Sequence, residues 1–140
     1  SQTLAVGTMP YASVHDPVRE RLFVTNQEDA SVSVLDLIER HEIARIEVGE
    51  YPEGIDLRII ERRVYVANWF SNRVSVIDAD ELTVVETFAT DDGPRAFGQF
   101  ILEPWSGANR TRLSWCVMPV QIGNQLRQYL PAIDVRRCQA

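Results

Sequence analysis

The sequence predicts an all-β fold built from repeated four-stranded sheets, and three observations lead to this prediction. Pro10, Pro52 and Pro94 are spaced evenly by 42 residues (52 − 10 = 94 − 52). The segment 21–26, RLFVTN, returns in the same register as RVYVAN at 63–68. The segment 31–36, SVSVLD, likewise returns as RVSVID at 73–78. A repeat of about 40–45 residues with four strands per unit is typical of a β-propeller blade.

The repeat divides the chain into two complete blades and parts of others. We predict blades over residues 1–102, with repeats at 10–51 and 52–93 and a partial third blade from Pro94. Thr3–Val6 occupies the place that 45–48 and 87–90 hold in the repeat, so we predict an outer strand that closes another blade. Closure of a propeller takes about four to eight blades. We therefore expect other copies of the chain or a partner protein to supply further blades.

Each blade is predicted from strand alternation and turn residues. The first blade has strands near 12–15, 21–25, 31–35 and 43–48, and the second has them near 54–59, 63–67, 73–77 and 84–90. Apolar residues occupy both faces of the middle strands, as packing between two neighbouring blades requires. Charged residues alternate with Ile46 and Val48 in the outer strand, which protects an exposed edge from unwanted pairing.

The period is lost after residue 101, and we predict that 103–140 form a divergent basic tail. The tail has a net charge of +3, whereas the whole chain has −6. One strand (113–118) and one short helix (124–130), capped by Asn124 and stopped by Pro131, are the elements that its pattern favours. Cys116 and Cys138 are the two cysteines of the chain. They are compatible with one disulfide in an exported protein and equally with two reduced thiols.

The net charge and the apolar runs of the chain argue against some classes of function. The net charge of −6 argues against a nucleic-acid partner, which a basic patch or stripe would normally indicate. No apolar run is long enough to span a bilayer.

The repeated segments also resemble those of a known family of repeat proteins. The segments Leu22–Asn26 and Val64–Asn68, each followed by Val-Ser-Val-[Leu/Ile]-Asp, resemble the YVTN family of β-propeller repeats, as does the segment 93–101, GPRAFGQFI. The resemblance covers about the first hundred residues. It implies a ring of about seven blades and a periplasmic or secreted, cell-surface location. It also leaves several functions open, because the family includes surface-layer proteins and relatives of lactonases and of quinoprotein dehydrogenase systems.

We predict that the binding surface is formed by the loops between second and third strands, together with the loops that join successive blades. Trp69 and Phe70 stand where the first blade has Gln27 and Glu28, so blade packing does not demand them. Large aromatic side chains on loops serve as protein anchors or sugar platforms, or they cover a neighbouring blade. Our candidate partner- or ligand-binding residues are Glu28, Asp29, Tyr51, Trp69, Phe70, Asp91, Asp92 and Arg95.

The same surface gives little support for catalysis. The carboxylates have no calcium-loop spacing, and acidic turns are usually solvated, so we predict no metal. Ser33 and Ser75 recur within strands without a base to activate them. We therefore expect a binding or scaffold module without cofactor. The alternative is a part of a periplasmic enzyme system, either a lactonase-like hydrolase or an accessory protein of a quinoprotein dehydrogenase.

Overall fold

The computed structural model describes residues 3–96 and residue 100. Within this part the chain forms eight β-strands and no helix. No segment of it is therefore a helix long and apolar enough to cross a bilayer. The strands are β1 (Pro10–Asp16), β2 (Arg21–Asn26), β3 (Ser31–Asp36), β4 (His41–Glu47), β5 (Pro52–Arg58), β6 (Arg63–Asn68), β7 (Arg73–Asp78) and β8 (Val84–Ala89).

The strands form two four-stranded antiparallel sheets, in the orders β1-β2-β3-β4 and β5-β6-β7-β8. We call them the first and the second blade. Their registers are the same after a shift of 42 residues: Leu22 lies opposite Leu35, and Val64 lies opposite Ile77. This confirms the predicted all-β blades. The observed strands differ from the predicted ones by up to two residues at their ends.

The backbone turns repeat as faithfully as the strands do. Among the described residues, eight other than glycine have a positive φ, in four pairs 42 residues apart: Met9 and Tyr51, Glu20 and Arg62, Ala30 and Asn72, Arg40 and Leu82. Gly93, with a φ of 64°, continues the first of these series. Because this left-handed conformation is costly for residues with a Cβ, its recurrence shows that the turn geometry is imposed by the blade.

Polar side chains fix the strand ends. The Nδ2 of Asn26 donates to Ser33 Oγ at 2.9 Å, and the Nδ2 of Asn68 donates to Ser75 Oγ at the same distance. Asp78 accepts hydrogen bonds from the backbone N–H groups of the next turn, as Asp36 does in the first blade. The recurrence of these residues is therefore structural, since each satisfies backbone or side-chain groups of its own blade.

The two blades pack face to face through an apolar core. The first blade contributes Phe23, Val32, Val34 and Ile46, and the second contributes Ile55, Leu57, Val64, Val66, Ile77 and Ala79. Leu22 is only half-buried, although its counterpart Val64 is fully buried. The difference arises because Val64 faces the first blade, whereas no described sheet lies against Leu22.

An ion-pair network joins the blades at the end of the strands opposite to the β2–β3 and β6–β7 loops. Arg19, in the β1–β2 turn, pairs with the fully buried Asp16 at 2.8 Å and with Asp80 in the second blade. Arg21 donates from Nη1 to the carbonyl oxygen of Ala79 at 2.8 Å. The buried carboxylate of Asp16 is thus compensated by a cation that also links the two sheets.

Two predicted strands are not seen. Residues 3–7 form no strand, because the outer strand of a blade is defined by bonds to a third strand that is not among the described ones. Pro94–Ala96 and Phe100 likewise form no strand, although they pack on the second blade as a third blade's inner strand would. The tail with Cys116 and Cys138, its predicted strand and helix, and the boundary at residue 102 all lie outside the described residues.

Candidate functional site

The loops between strands and between blades meet at one edge of the two sheets. Trp69 N–H, at the start of the β6–β7 loop, donates to the carbonyl oxygen of Tyr51 at 3.0 Å. Phe70 N–H donates to the carbonyl oxygen of Glu50 at 3.2 Å. In the first blade Gln27 N–H makes the equivalent bond to Met9. The backbone frame is therefore common to both blades, and only the second blade places aromatic side chains on it.

Three rings and one guanidinium form a compact group that we call the aromatic cluster: Tyr51, Trp69, Phe70 and Arg95. Tyr51 and Phe70 are stacked with centroids 4.5 Å apart, and Trp69 lies 4.6 Å from Phe70. Tyr51 and Trp69 meet edge to face at 5.8 Å. Phe70 nevertheless remains 56 % exposed, so it is the ring that projects from the cluster.

Arg95 covers one face of the tryptophan. Its Cζ lies 3.5 Å from the Trp69 ring centroid, which is cation–π geometry. Its Nε lies 3.8 Å from Oε2 of Glu53, a residue only 5 % exposed. That oxygen accepts no hydrogen bond within the described structure. Arg95 therefore compensates a buried carboxylate and holds the Trp69 ring in place.

Gly93 allows this arrangement. A Cβ at Gly93 would lie 3.0 Å from Nε1 of Trp69, and the residue has a φ of 64°. Both the close approach and the left-handed backbone favour glycine here.

The four predicted acidic residues do not join the aromatic cluster. Asp29 accepts a hydrogen bond from Thr8 N–H and lies 3.7 Å from Arg45 Nη1. The hydrogen bond from Thr8 lowers the pKa of Asp29, and Arg45 contributes less. Glu28 is exposed in the same loop, and Asp91 and Asp92 are exposed in the bend before Gly93. Within residues 3–96 and 100, no three His, Cys, Asp or Glu side chains are placed to hold a metal ion.

Sequence reasoning missed two contacts of the cluster. Glu53 is the buried partner of Arg95, and Met9 Sδ lies 4.0 Å from the hydroxyl of Tyr51. A signal for Glu53 was available, because Tyr11, Glu53 and Arg95 share one position of the 42-residue repeat. Residues at that position lie at the same depth along the innermost strands, so neighbouring blades bring them together.

No protein-family model and no curated protein matches this sequence. Solved structures, by contrast, do match this chain. Hydrazine synthase of Kuenenia stuttgartiensis is 38 % identical over 61 % of this chain, with a TM-score of 0.58 and 25 % of its own chain covered. AztD of Citrobacter koseri is 18 % identical over 66 % of this chain, with a TM-score of 0.58 and 27 % of its chain covered.

A third neighbour is the β-propeller domain of Cps50 (Swd1) from Myceliophteria thermophila. It is 12 % identical over 66 % of this chain, with a TM-score of 0.57 and 29 % of its chain covered. The chain thus spans between a quarter and a third of the length of these neighbours. Together with the two repeated sheets, these likenesses establish that its described part is a section of a β-propeller.

Proposed function

We propose that this chain is a non-catalytic binding or scaffold module of a β-propeller of the YVTN kind. It is exported to the periplasm or cell surface, and other copies or a partner chain complete its ring. The proposal is supported by the limited share of each neighbour that the chain spans. It is also supported by apolar residues such as Leu22 and Val85, against which no blade packs within the part of the chain that the structure describes. Apolar blade faces left in water would promote aggregation.

The exposed ring of Phe70 is the observation that carries the binding role. A projecting aromatic side chain on a rigid base is typical of an anchor in a protein interface. The base is rigid here because Phe70 packs on two other rings, one of which Arg95 holds from its far side. Since Arg95 already covers that face of Trp69, the cluster offers a projecting ring more than a flat sugar platform. A protein partner therefore suits the aromatic cluster better than a sugar does.

Site-directed photo-crosslinking tests this surface. A photoreactive phenylalanine analogue at position 70 should crosslink a partner protein in cells that produce the chain. The matched control is the same analogue at position 28, the exposed counterpart of Phe70 in the first blade. Crosslinks of equal yield from both positions would show that the aromatic cluster has no special role. Loss of the position-70 product after Tyr51→Ala would tie it to the cluster.

Particle mass in solution tests the incomplete ring. Light scattering after size exclusion should give a mass above the 15.9 kDa of one chain, either from copies or from a bound partner. A stable, soluble and folded monomer would contradict the need for further blades.

The enzyme-system alternative keeps one specific support. The 38 % identity to a section of hydrazine synthase exceeds that of the other neighbours described above, and the name of this neighbour is that of an enzyme. In this alternative the chain contributes blades to an enzyme, as a lactonase-like hydrolase or a quinoprotein dehydrogenase accessory protein. Elemental analysis and a substrate screen of the assembled particle test it. A bound metal or cofactor with turnover would favour the enzyme over the binding module.

A further inference from the structure

A cleft of about 470 Å³ lies between the segment 47–50, which joins the two blades, and strands β7 and β8. Ser75 lies opposite the core residue Val66, so the cleft is on the side of the second blade that faces the first. Its volume is in the range of small-molecule sites, about 300–1,000 Å³. We call it the interblade cleft, and its polar lining residues are Glu47, Glu50, Ser71, Arg73, Ser75 and Thr87.

The corresponding place in the first blade is filled by Arg45. Its guanidinium donates to both carboxylate oxygens of Glu42 at 3.0 Å, and its Nη1 lies 3.7 Å from Asp29 Oδ2. The hydrogen bonds from Arg45, and to a smaller extent that from the Ser33 hydroxyl, lower the pKa of Glu42. Gly7 N–H donates to Ser33 Oγ at 3.3 Å, so the segment before the blade also contacts this network.

The second blade has lost the charged members of this network. Shorter side chains replace them in the repeat: Thr87 for Arg45, Val84 for Glu42 and Ser71 for Asp29. The space that a guanidinium and two carboxylates take up in the first blade is therefore left as a cleft in the second.

The interblade cleft carries other charges instead. Glu47 and Glu50 lie on the segment between the blades, and Arg73 lies on β7, so opposite charges are on different walls. The first blade has uncharged residues at all three positions. None of the three side chains forms an ion pair within the part of the chain that the structure describes. Both kinds of charge are therefore available to a ligand.

Ser75 adds a hydrogen-bond donor beside Arg73. It is 3 % exposed, and its Oγ accepts a hydrogen bond from Asn68 Nδ2 at 2.9 Å. Among the described residues, none accepts the hydrogen of its own hydroxyl. Arg73 and Ser75 lie on the same side of β7, because successive side chains of a strand alternate. Since a buried donor without an acceptor is costly, this pair suits a bound carboxylate.

We propose that the interblade cleft binds a small zwitterion of the arginine type. Its guanidinium takes the place that the Arg45 guanidinium holds in the first blade, with Glu47 and Glu50 as countercharges. Its carboxylate accepts hydrogen bonds from Arg73 and Ser75. Charge-assisted hydrogen bonds of both kinds are stronger than neutral ones, so a neutral sugar suits this cleft less well. No residue of the aromatic cluster lines the cleft, so the proposal is independent of the protein-binding role.

Isothermal titration calorimetry of the full-length chain with L-arginine tests the proposal. Agmatine, which is arginine without its carboxylate, should bind at least about tenfold more weakly. Arg73→Gln should weaken L-arginine binding at least about tenfold but should not weaken agmatine binding, because agmatine has no carboxylate for Arg73. Glu50→Gln should weaken the binding of both. The control Glu86→Gln removes a carboxylate outside the cleft lining and should change neither.

Refilling the cleft gives a second test. Thr87→Arg combined with Val84→Glu restores in the second blade the pair that Arg45 and Glu42 form in the first. If its circular dichroism matches that of the parent, this double variant should bind L-arginine at least about tenfold more weakly. If it does not fold, the effect of Arg73→Gln on the two probes decides.

Three results would overturn the proposal. Equal affinities of the parent for L-arginine and agmatine would mean that no carboxylate is recognised. Unchanged L-arginine affinity in the folded double variant would place the bound molecule elsewhere. No binding of L-arginine at about 10 mM would mean that the cleft is not a site for it, including where the chain's own tail fills the cleft. Crosslinking from position 70 is unaffected by these results, so it still reports on the protein-binding role.

Discussion

Truncation of Val64 should destabilise the protein more than truncation of the larger residue Leu22, its counterpart in the first blade. Val64 is fully buried between the blades. Val64→Ala removes two methyl groups worth roughly 0.8 kcal/mol each in transfer free energy. With the cavity that remains, we expect a loss of about 2–3 kcal/mol in the free energy of unfolding. Leu22→Ala removes three carbons, but from a half-buried side chain with no described sheet against it, so we expect only about 1 kcal/mol.

Urea unfolding followed by circular dichroism measures both losses. With a slope of about 1–3 kcal/mol per molar urea, Val64→Ala should lower the midpoint by roughly 1–2 M. Both variants and the parent are measured at the same, lowest practical protein concentration. If copies associate through the face that carries Leu22, the loss from Leu22→Ala should grow with protein concentration, because association stabilises the folded form. A loss from Leu22→Ala that equals or exceeds that from Val64→Ala at the lowest concentration would refute the assigned packing.

Three further predictions concern polar groups and turns. Asn68→Ala should lower the free energy of unfolding by about 1–3 kcal/mol, because the buried Asn68 donates to Ser75; urea unfolding measures the loss. The backbone N–H of Glu81 lowers the pKa of Asp78 below the usual 3.8, so its stabilising contribution is complete above that value and is lost as the pH falls through the lowered pKa. Acid titration should therefore be less steep for Asp78→Asn. Gly93→Ala should cost about 1 kcal/mol, since φ is positive there, as a thermal melt would show.

Each of these predictions has a contrary outcome. An Asn68→Ala protein with unchanged stability would mean that solvent replaces the buried amide. An unchanged acid slope for Asp78→Asn would assign the acid sensitivity to other carboxylates whose pKa is also lowered, such as Asp36. A Gly93→Ala protein as stable as the parent would show that the loop tolerates a Cβ, as the equivalent Met9 and Tyr51 do.

The repeat made the fold predictable to within a residue or two at the strand ends. The alternation of apolar residues and the recurrence of Asn26 and Asn68 were visible in the sequence, because both blades pack in the same way. Strand ends were less certain, since a bulge at Ile43 and another at Val85 shift the register locally. Such bulges depend on the twist of the whole sheet, which no short segment encodes.

The candidate site was predicted in part. The position of Trp69, Phe70 and Tyr51 on loops that meet followed from strand order, and the structure brings these rings together. The acidic loop residues were predicted for the same surface; Asp29 contacts Thr8 and Arg45 there and does not contact the rings. Which side chains meet across neighbouring loops depends on rotamers and distances, and the sequence does not contain these directly.

The sequence by itself determined the blade: its 42-residue period, its strand order and the apolar character of both faces. This is possible because the strand spacing of a repeated unit can be read from two copies of it in the sequence. Only the tertiary structure decided how the two faces of the second blade differ. One face packs against the first blade, and Ala96 and Phe100 pack on the other. The physical reason is that a side chain becomes buried only where a second surface covers it. Val85 and Ile43 therefore share a place in the repeat and still have different surroundings.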